Sequence, residues 1–486
     1  MTKSISINTP SDTTPSTKLR GNLGVTSIVF MVVAAAAPLT VVGGVIPMGF
    51  SFGNGLGFPV MFLVSAAILT LFSIGMSQMA GRIPRPGAFF TYVQHGLGHK
   101  AGAAAAFVAV VTYLAAPLAA LALIGVQLNL TVVHLGGPDI AWWIYCLITI
   151  GLVGILGYRH IDLSSKVLGV LLVAEVGIVA VLLAVVFATG GASGYSAAPL
   201  TAGAVFSGEI GVGLTFAILG FVGFEATAVF RDEARDAART VPRATYIAVI
   251  SIGLFYAIAA YGMVIAWGPE GVVGESLDDP AGMLVTTTQN YLGAAGSVVA
   301  QALLLTSILA CVLSFHNVTA RYFHALGQSG ILPARLGHTH ARHVSPHIGS
   351  LTQTSLCAVA ILVFAVLGVD PMLQVFAWMG GLTTFGVLVL MVMTSVAVLV
   401  YFARGGAAVS AWKTRVAPAL GLAGLLVAGV LIVLNFPMLV GGSPALAYSL
   451  LAVFPVAAAV GVVVGMRRPQ FAMAVPVHSG SGVAPA

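Results

Sequence analysis

Residues 216–230 read FAILGFVGFEATAVF, and this stretch decides how the chain must fold. The run is apolar enough to cross a bilayer, yet Gly220 and Gly223 interrupt it and Glu225 follows directly. Glycine weakens a helix locally, and an ionisable side chain at membrane depth is costly enough that it usually has a function. A charged segment, 231–243, then returns the chain to water. An interrupted membrane helix that carries a buried acid is typical of a transporter core.

The composition of the whole chain indicates an all-α polytopic membrane protein. Of its 486 residues, 59% are hydrophobic and 7% are charged, whereas a soluble domain carries roughly 25% charged residues. The apolar residues come in blocks of about 20, which as helices span about 30 Å and match the hydrocarbon core. The three cysteines all lie in such blocks, so we expect them to pack in the core without a disulfide framework.

Twelve apolar blocks can be placed on the sequence, and the positive charges test that count. With twelve spans, all 20 Lys and Arg fall on one side, and the loops on the other side carry only acids as charged residues. The positive-inside rule then predicts two cytoplasmic termini, in a multi-pass protein of the cytoplasmic (plasma) membrane. We expect one transporter domain over 21–468, between a disordered cytoplasmic tail at 1–20 and a second cytoplasmic tail at 469–486.

A second interrupted segment lies five spans before the first. Residues 34–38 read AAAAP, where Pro38 removes a helix hydrogen bond and the alanines leave the backbone accessible. Two interrupted segments at matching positions of two halves are the best sequence indication of an inverted-repeat transporter site. We therefore expect repeats at about 25–189 and 208–402, with spans 1 and 6 broken, followed by two further spans at about 416–466.

A second acid, Glu175, lies deep in span 5. No Lys or Arg lies within a predicted span core to pair with Glu175 or Glu225. A lone carboxyl group at this depth can load and release a proton as the site faces opposite sides of the membrane, so we assign proton coupling to Glu225 and Glu175. The alternative is that a neutral Glu225 only bridges the two broken helices through hydrogen bonds.

Other kinds of chemistry are not indicated by the sequence. It contains no Gly-rich phosphate loop, nucleophile elbow or metalloprotease motif, so we do not expect an enzyme. Four histidines of one loop (His338, His340, His343 and His347) have no Cys or acid beside them, and we therefore expect no metal and no cofactor. The net charge of +6 follows the membrane topology and does not indicate nucleic-acid binding.

Three segments together resemble the amino acid–polyamine–organocation (APC) superfamily of secondary transporters. They are Arg82-x-Pro84-x-x-Gly87-x-x-x-x-Tyr92 after span 2, Gly223-Phe-Glu225 in span 6 leading to Glu233-Ala and Val241-Pro-Arg243, and Arg321 through Gly330-x-x-Pro333 after span 8. The resemblance covers roughly 20–468. It implies twelve transmembrane helices in a LeuT-like 5+5 inverted repeat, an amino acid or amine substrate, and commonly proton coupling or exchange.

The resemblance also implies a substrate site. In such proteins the substrate's carboxylate and amine bind exposed backbone at the breaks of spans 1 and 6, where freed amides favour an anion and freed carbonyls favour an ammonium. On this chain those positions are Ala35, Ala36, Ala37, Leu39 and Thr40, with Leu219, Gly220, Phe221, Val222 and Gly223. The chain departs from the family at the span-1 break, where alanines and Pro38 replace Gly-x-Gly, and at Glu175, where relatives often carry Lys.

We expect a permease, a symporter that moves an amino acid with a proton across the membrane. The alternative is an amino acid/amine exchanger or a polyamine importer. A polyamine has several positive charges, so its site should contain extra acids, and only Glu225 and Glu175 are available. A nutrient sensor built on the same scaffold is less expected, because the chain lacks a signalling domain.

Overall fold

The computed structural model describes residues 24–83, 89–159, 165–225, 227, 234–340, 345–405 and 410–467. The two predicted tails, 1–20 and 469–486, lie outside the described residues. The described chain is helical, with α1 Val25–Ala35, α2 Pro38–Thr40, α3 Ile46–Phe52, α4 Phe58–Ala80, α5 Phe89–Leu97, α6 His99–His134, α7 Trp142–Tyr158, α8 Ser165–Thr189, α9 Ala202–Val205, α10 Ile210–Leu219, α11 Ala237–Trp267, α12 Val272–Asp278, α13 Met283–Gln328, α14 His347–Leu367, α15 Ala377–Ala403, α16 Ala417–Leu439 and α17 Pro444–Arg467.

Ten helical segments in these ranges are long and apolar enough to cross a membrane. The first of them is the broken segment Val25–Phe52, which contains α1, α2 and α3. Two further apolar helices, α7 and α10, are shorter. The predicted class, an all-helical polytopic membrane protein, is confirmed.

The first membrane segment is interrupted between α1 and α2. Ala37 adopts the left-handed conformation, with φ 46° and ψ 68°, which is unfavourable for any residue that has a Cβ atom. Pro38 then begins α2, because its fixed φ suits the first turn of a helix and it has no N–H to leave unsatisfied. A π-helical turn, Val41–Val45, connects α2 to α3. The break therefore lies where the sequence predicts it.

The second interruption follows α10. The helix ends at Leu219, and the N–H groups of Phe221 and Val222 turn back to the carbonyls of Ile218 and Leu219 at 2.9 and 3.1 Å. Gly223 has φ 109°, a conformation that glycine adopts without strain and other residues avoid. The glycines thus end the helix partway through the predicted span.

The long helix α6 lies at the centre of the packing and contacts α5, α7, α13, α15 and α17. Small residues make these contacts close. A Cβ atom on Gly461 of α17 would lie 2.6 Å from the Ala103 carbonyl oxygen of α6, so the two backbones are in direct contact there. Close backbone approach through small residues is the usual way that membrane helices associate, because lipid supplies no hydrophobic driving force between them.

Two elements differ from the sequence-based expectation. The predicted long span 8 is α13, which is kinked at Gly293 (φ 71°) and consists of two helices joined there. The segment predicted after span 2 contains α5, which packs against α6 and α15 and whose Phe89, Phe90 and Tyr92 are buried. Phe89 lies against Phe72 of α4, and Phe90 lies against Tyr322 of α13. The amphipathic pattern of these aromatic residues gives the loop a helix that packs on the core.

The contact between α10 and α16 should not tolerate a side chain at Gly211. A Cβ atom there would collide with the Leu431 carbonyl and the Asn435 side chain of α16. We expect Gly211→Ala to lower the free energy of unfolding by about 1–3 kcal/mol, measured by thermal and denaturant unfolding in detergent. The matched control is Gly177→Ala on α8, where a Cβ atom meets nothing within 4 Å. Equal stability of the two variants would contradict the close approach.

Candidate functional site

The two helix breaks line one small cavity, with a volume of about 50 Å³. Ala36 and Thr40 come from the first break, and Leu219 and Val222 come from the second. The π-helical turn, α6, α13, the π-helical turn Pro371–Phe376 and α15 supply the rest: Val41, Val45, Ala116, Ala119, Ala120, Cys311, Phe315, Phe376 and Thr383. The tertiary structure thus unites two interruptions that lie about 180 residues apart in the sequence.

The walls of the cavity are mostly apolar and small. Ala116, Ala119 and Ala120 lie on one face of α6, at i, i+3 and i+4. Among the described lining residues, the polar groups are the hydroxyls of Thr40 and Thr383 and the thiol of Cys311, and none carries a charge. An apolar pocket with a few placed polar groups is the usual form of a small-molecule site.

Five other predicted substrate-binding residues adjoin these residues in the sequence but are not among the described lining residues: Ala37, Leu39, Gly220, Phe221 and Gly223. The side chain of Ala35 lies outside the described part of the structure. Phe221 is buried and packs against Phe62 and Tyr256, with ring centroids 6.5 and 6.4 Å apart. The structure therefore brings Ala36, Thr40, Leu219 and Val222 directly to the cavity wall.

Glu175 is buried, with 5% of its surface exposed, and it caps the first turn of α2. Its Oε2 accepts the Leu39 N–H at 3.3 Å and the Ser307 hydroxyl at 2.8 Å. The Ser307 oxygen in turn accepts the Thr40 N–H at 3.3 Å and lies 3.0 Å from the Thr40 hydroxyl. Two amides that were expected to be free for a substrate carboxylate therefore already have acceptors within the protein.

Glu225 is partly buried and holds the second break in a parallel way. Its Oε2 accepts the Gly223 N–H at 2.9 Å, and its Oε1 accepts the Tyr113 hydroxyl of α6 at 2.7 Å. Tyr113 packs against Tyr322 of α13, with ring centroids 5.0 Å apart, and its carbonyl accepts the Thr319 hydroxyl at 2.7 Å. Glu225 therefore ties the break after α10 to α6 and α13.

Sequence reasoning missed Ser307, Tyr113 and the α6 wall of the cavity. The small-residue run AAPLAALA at 115–122 is a signal that could have indicated a close-packed wall. Ser307 and Tyr113 carry no comparable signal, because their partners Glu175 and Glu225 lie 132 and 112 residues away. Only the packing of the helices shows which hydroxyl faces which acid.

The histidine-rich loop shows no metal-binding arrangement in its described residues. His340 and His347 pack edge-on against Tyr158, with ring centroids 5.3 and 6.0 Å from it. Over the described ranges, no three His, Cys, Asp or Glu side chains come together as metal ligands would. His343 lies outside the described residues.

A polytopic helical protein whose cavity lies between two interrupted membrane helices has the architecture of a membrane transporter. A family model described as amino acid permease matches residues 27–468. The chain belongs to the amino acid permease family, and it is a transporter rather than an enzyme. The predicted resemblance to the APC superfamily is confirmed.

Two transporters are similar to this chain over most of their length. The low-affinity putrescine importer PlaP of Escherichia coli is 24% identical over 360 residues, which cover 72% of this chain and 76% of the relative. An uncharacterized transporter of Mycobacterium tuberculosis is 25% identical over 358 residues, covering 70% of this chain and 73% of the relative. Both are transporters by name, and one of them takes an amine.

The break after α10 should depend on the glycine at 223 and less on the glycine at 220. Gly223 has φ 109°, so any side chain there is strained, and its N–H holds Glu225. We expect Gly223→Ala to destabilise the protein by about 1–3 kcal/mol and to abolish uptake. The larger Gly223→Leu should abolish uptake as well. Gly220→Ala is the matched control, because Gly220 has φ −63° and its Cβ would meet only side chains, at 3.2 Å or more. Wild-type uptake by Gly223→Ala would show that the break is not essential.

Proposed function

We propose that this chain is a secondary active permease that carries a small neutral amino acid across the cytoplasmic membrane together with a proton. The observation that carries the proposal is that Ala36, Thr40, Leu219 and Val222, from two separate helix breaks, line the same cavity. Interrupted helices leave backbone groups available to bind the charged ends of a zwitterion. The cavity between them is the place for its side chain.

The size and the charge of the cavity favour a small neutral substrate. Ala116, Ala119 and Ala120 form one wall, and Phe315 and Phe376 close the space on other helices. No charged group is among the described lining residues. A substrate with a charged side chain would lose its hydration there without gaining a partner, which costs free energy.

Amine import is the second candidate function. It is favoured by the name of the relative PlaP, a putrescine importer, and by the amides of Leu39 and Thr40, which already have acceptors. A substrate without a carboxylate does not need those amides. A diamine does need two acidic partners, and Glu175 and Glu225 are the two membrane-depth acids that could serve.

We propose twelve membrane spans, which count the short helices α7 and α10 as crossing segments. Spans 1–5 and 6–10 then form the two repeats of a LeuT-like 5+5 arrangement, with the two interruptions at matching positions. The placement of all 20 Lys and Arg on one side supports this count and two cytoplasmic termini.

Proton coupling is assigned to Glu175 and Glu225. Each carboxyl group accepts one N–H from a helix break and one hydroxyl from another helix. A change of protonation at either acid would alter how a break is held, and the breaks line the cavity. That is the physical link between proton and substrate that symport requires.

Uptake into proteoliposomes tests the proposed function directly. We expect glycine or L-alanine to accumulate when the outside is acidic, and an imposed sodium gradient at equal pH to drive no accumulation. Putrescine and L-lysine should compete poorly, because the cavity offers a second ammonium no acidic partner. Uptake that follows sodium and ignores the pH gradient would exclude proton coupling, and uptake of putrescine above that of L-alanine would favour the amine importer.

The Glu225→Gln variant distinguishes a proton-coupling role of Glu225 from a purely structural one. Glutamine can accept the Gly223 N–H and donate to the Tyr113 oxygen, so it keeps both contacts, but it cannot titrate. We expect gradient-driven accumulation to be lost while exchange of internal for external substrate survives. Tyr113→Phe, which removes the hydroxyl and keeps the ring, is the matched variant and should retain accumulation with reduced rate. Unchanged accumulation by Glu225→Gln would leave Glu225 a structural bridge and assign the proton to Glu175.

A further inference from the structure

A chain of three side chains leads from the buried acid Glu175 to the cavity. Glu175 lies 2.8 Å from the Ser307 hydroxyl, which lies 3.0 Å from the Thr40 hydroxyl. Thr40 lines the cavity, whereas neither Ser307 nor Glu175 is among its lining residues. All three side chains are buried. Among the described hydrogen bonds, two hydroxyl groups therefore connect the acid to the cavity.

Two backbone donors fix part of this arrangement. The Leu39 N–H donates to Glu175, and the Thr40 N–H donates to Ser307, whatever the protonation state. The hydroxyl protons of Ser307 and Thr40 can each point toward either neighbour, because a hydroxyl can donate one hydrogen bond and also accept. With Glu175 ionised, Thr40 donates to Ser307 and Ser307 donates to the carboxylate. The Thr40 oxygen then offers only lone pairs to the cavity.

Protonation of Glu175 reverses the direction of both hydrogen bonds. The acid then donates its proton to the Ser307 oxygen, Ser307 donates to Thr40, and the Thr40 hydroxyl is left to donate into the cavity. A donor at that position stabilises a substrate carboxylate, and an acceptor repels it. Glu175 takes up one proton and forms one O–H bond, and otherwise only hydrogen bonds change.

We propose that Ser307 is a positioning residue that transmits the protonation state of Glu175 to the Thr40 hydroxyl, so that a proton and a substrate carboxylate bind cooperatively. This inference rests on the proposed function and gives its coupling a specific route. By linkage, the proton increases the affinity for the carboxylate by the same factor as the carboxylate increases the affinity for the proton.

Among the described neighbours of Glu175, the route through Ser307 and Thr40 is the one whose hydrogen bonds change direction with pH. Over the described residues, the other titratable side chains that face Glu175 are Tyr256 on α11 and Cys311 on α13. Tyrosine and cysteine ordinarily titrate above about pH 8. Their charge therefore does not change over the acidic and neutral range, and Lys or Arg is not among the groups that act on Glu175.

The test measures the KM of counterflow at equal pH on both sides, from about pH 5 to about pH 8. The probe is whichever of glycine, L-alanine, L-serine and L-leucine gives the highest wild-type rate. We expect the wild-type KM to fall about fivefold or more toward acidic pH. Glu175→Gln cannot titrate, and its amide replaces Oε2, which meets both the Leu39 N–H and the Ser307 hydroxyl, by a group that either accepts from both or donates to Ser307. In either orientation its KM should not change with pH.

Ser307→Ala interrupts the route in its middle, and Thr40→Val interrupts it at the cavity end. Each should reduce the pH dependence of KM to less than about twofold, whereas Thr40→Ser, which keeps the hydroxyl, should retain it. Thr306→Val is the matched control, because its hydroxyl is exposed and bonds to the Leu303 carbonyl of its own helix. A merely structural role would change the maximal rate or the melting temperature without removing the pH dependence.

Wild-type pH dependence of KM in both Ser307→Ala and Thr40→Val would overturn the proposal, and so would a wild-type KM that does not change with pH. In either case the proposed permease function would remain supported, because the protein would still show counterflow. Absence of counterflow for all four amino acids in the wild type would overturn the proposed function and this inference with it.

Discussion

The hydrogen bond from the Leu39 N–H to the Glu175 carboxyl group is the contact on which the site depends. A helix that breaks inside a bilayer leaves N–H and C=O groups without partners, and lipid cannot supply them. Pro38 removes one N–H from the new helix start, Glu175 accepts the next, and Ser307 accepts that of Thr40. The break can therefore persist at membrane depth because two neighbouring helices, α8 and α13, supply the acceptors.

The same solution recurs at the second break with different residues. Gly223 turns the chain away from the helix, and Glu225 accepts its N–H and a hydroxyl from α6. In both places an acid is held by one backbone donor and one hydroxyl, and the hydroxyl comes from a helix distant in sequence. A group that stabilises a break and can also change its protonation is suited to link proton binding to the geometry of the cavity.

The cavity itself owes its shape to small side chains. Three alanines of α6 leave room where larger residues would fill it, and glycines elsewhere bring helix backbones into contact. Close packing through small residues is the usual way that membrane helices associate. The few hydroxyl groups on the wall are then the only polar contacts that its described lining offers a substrate besides the thiol of Cys311 and the backbone.

The sequence by itself determined the helical membrane class, the positions of both interruptions and the two acids at membrane depth. These depend on local chemistry: apolar runs of the right length, Pro38 and Gly223 at the breaks, and carboxyl groups without a basic neighbour. Only the tertiary structure decided that Ser307 faces Glu175, that Tyr113 faces Glu225 and that α6 supplies the alanine wall. Those contacts join residues more than 100 positions apart, and they follow from how the helices pack, which no local pattern specifies.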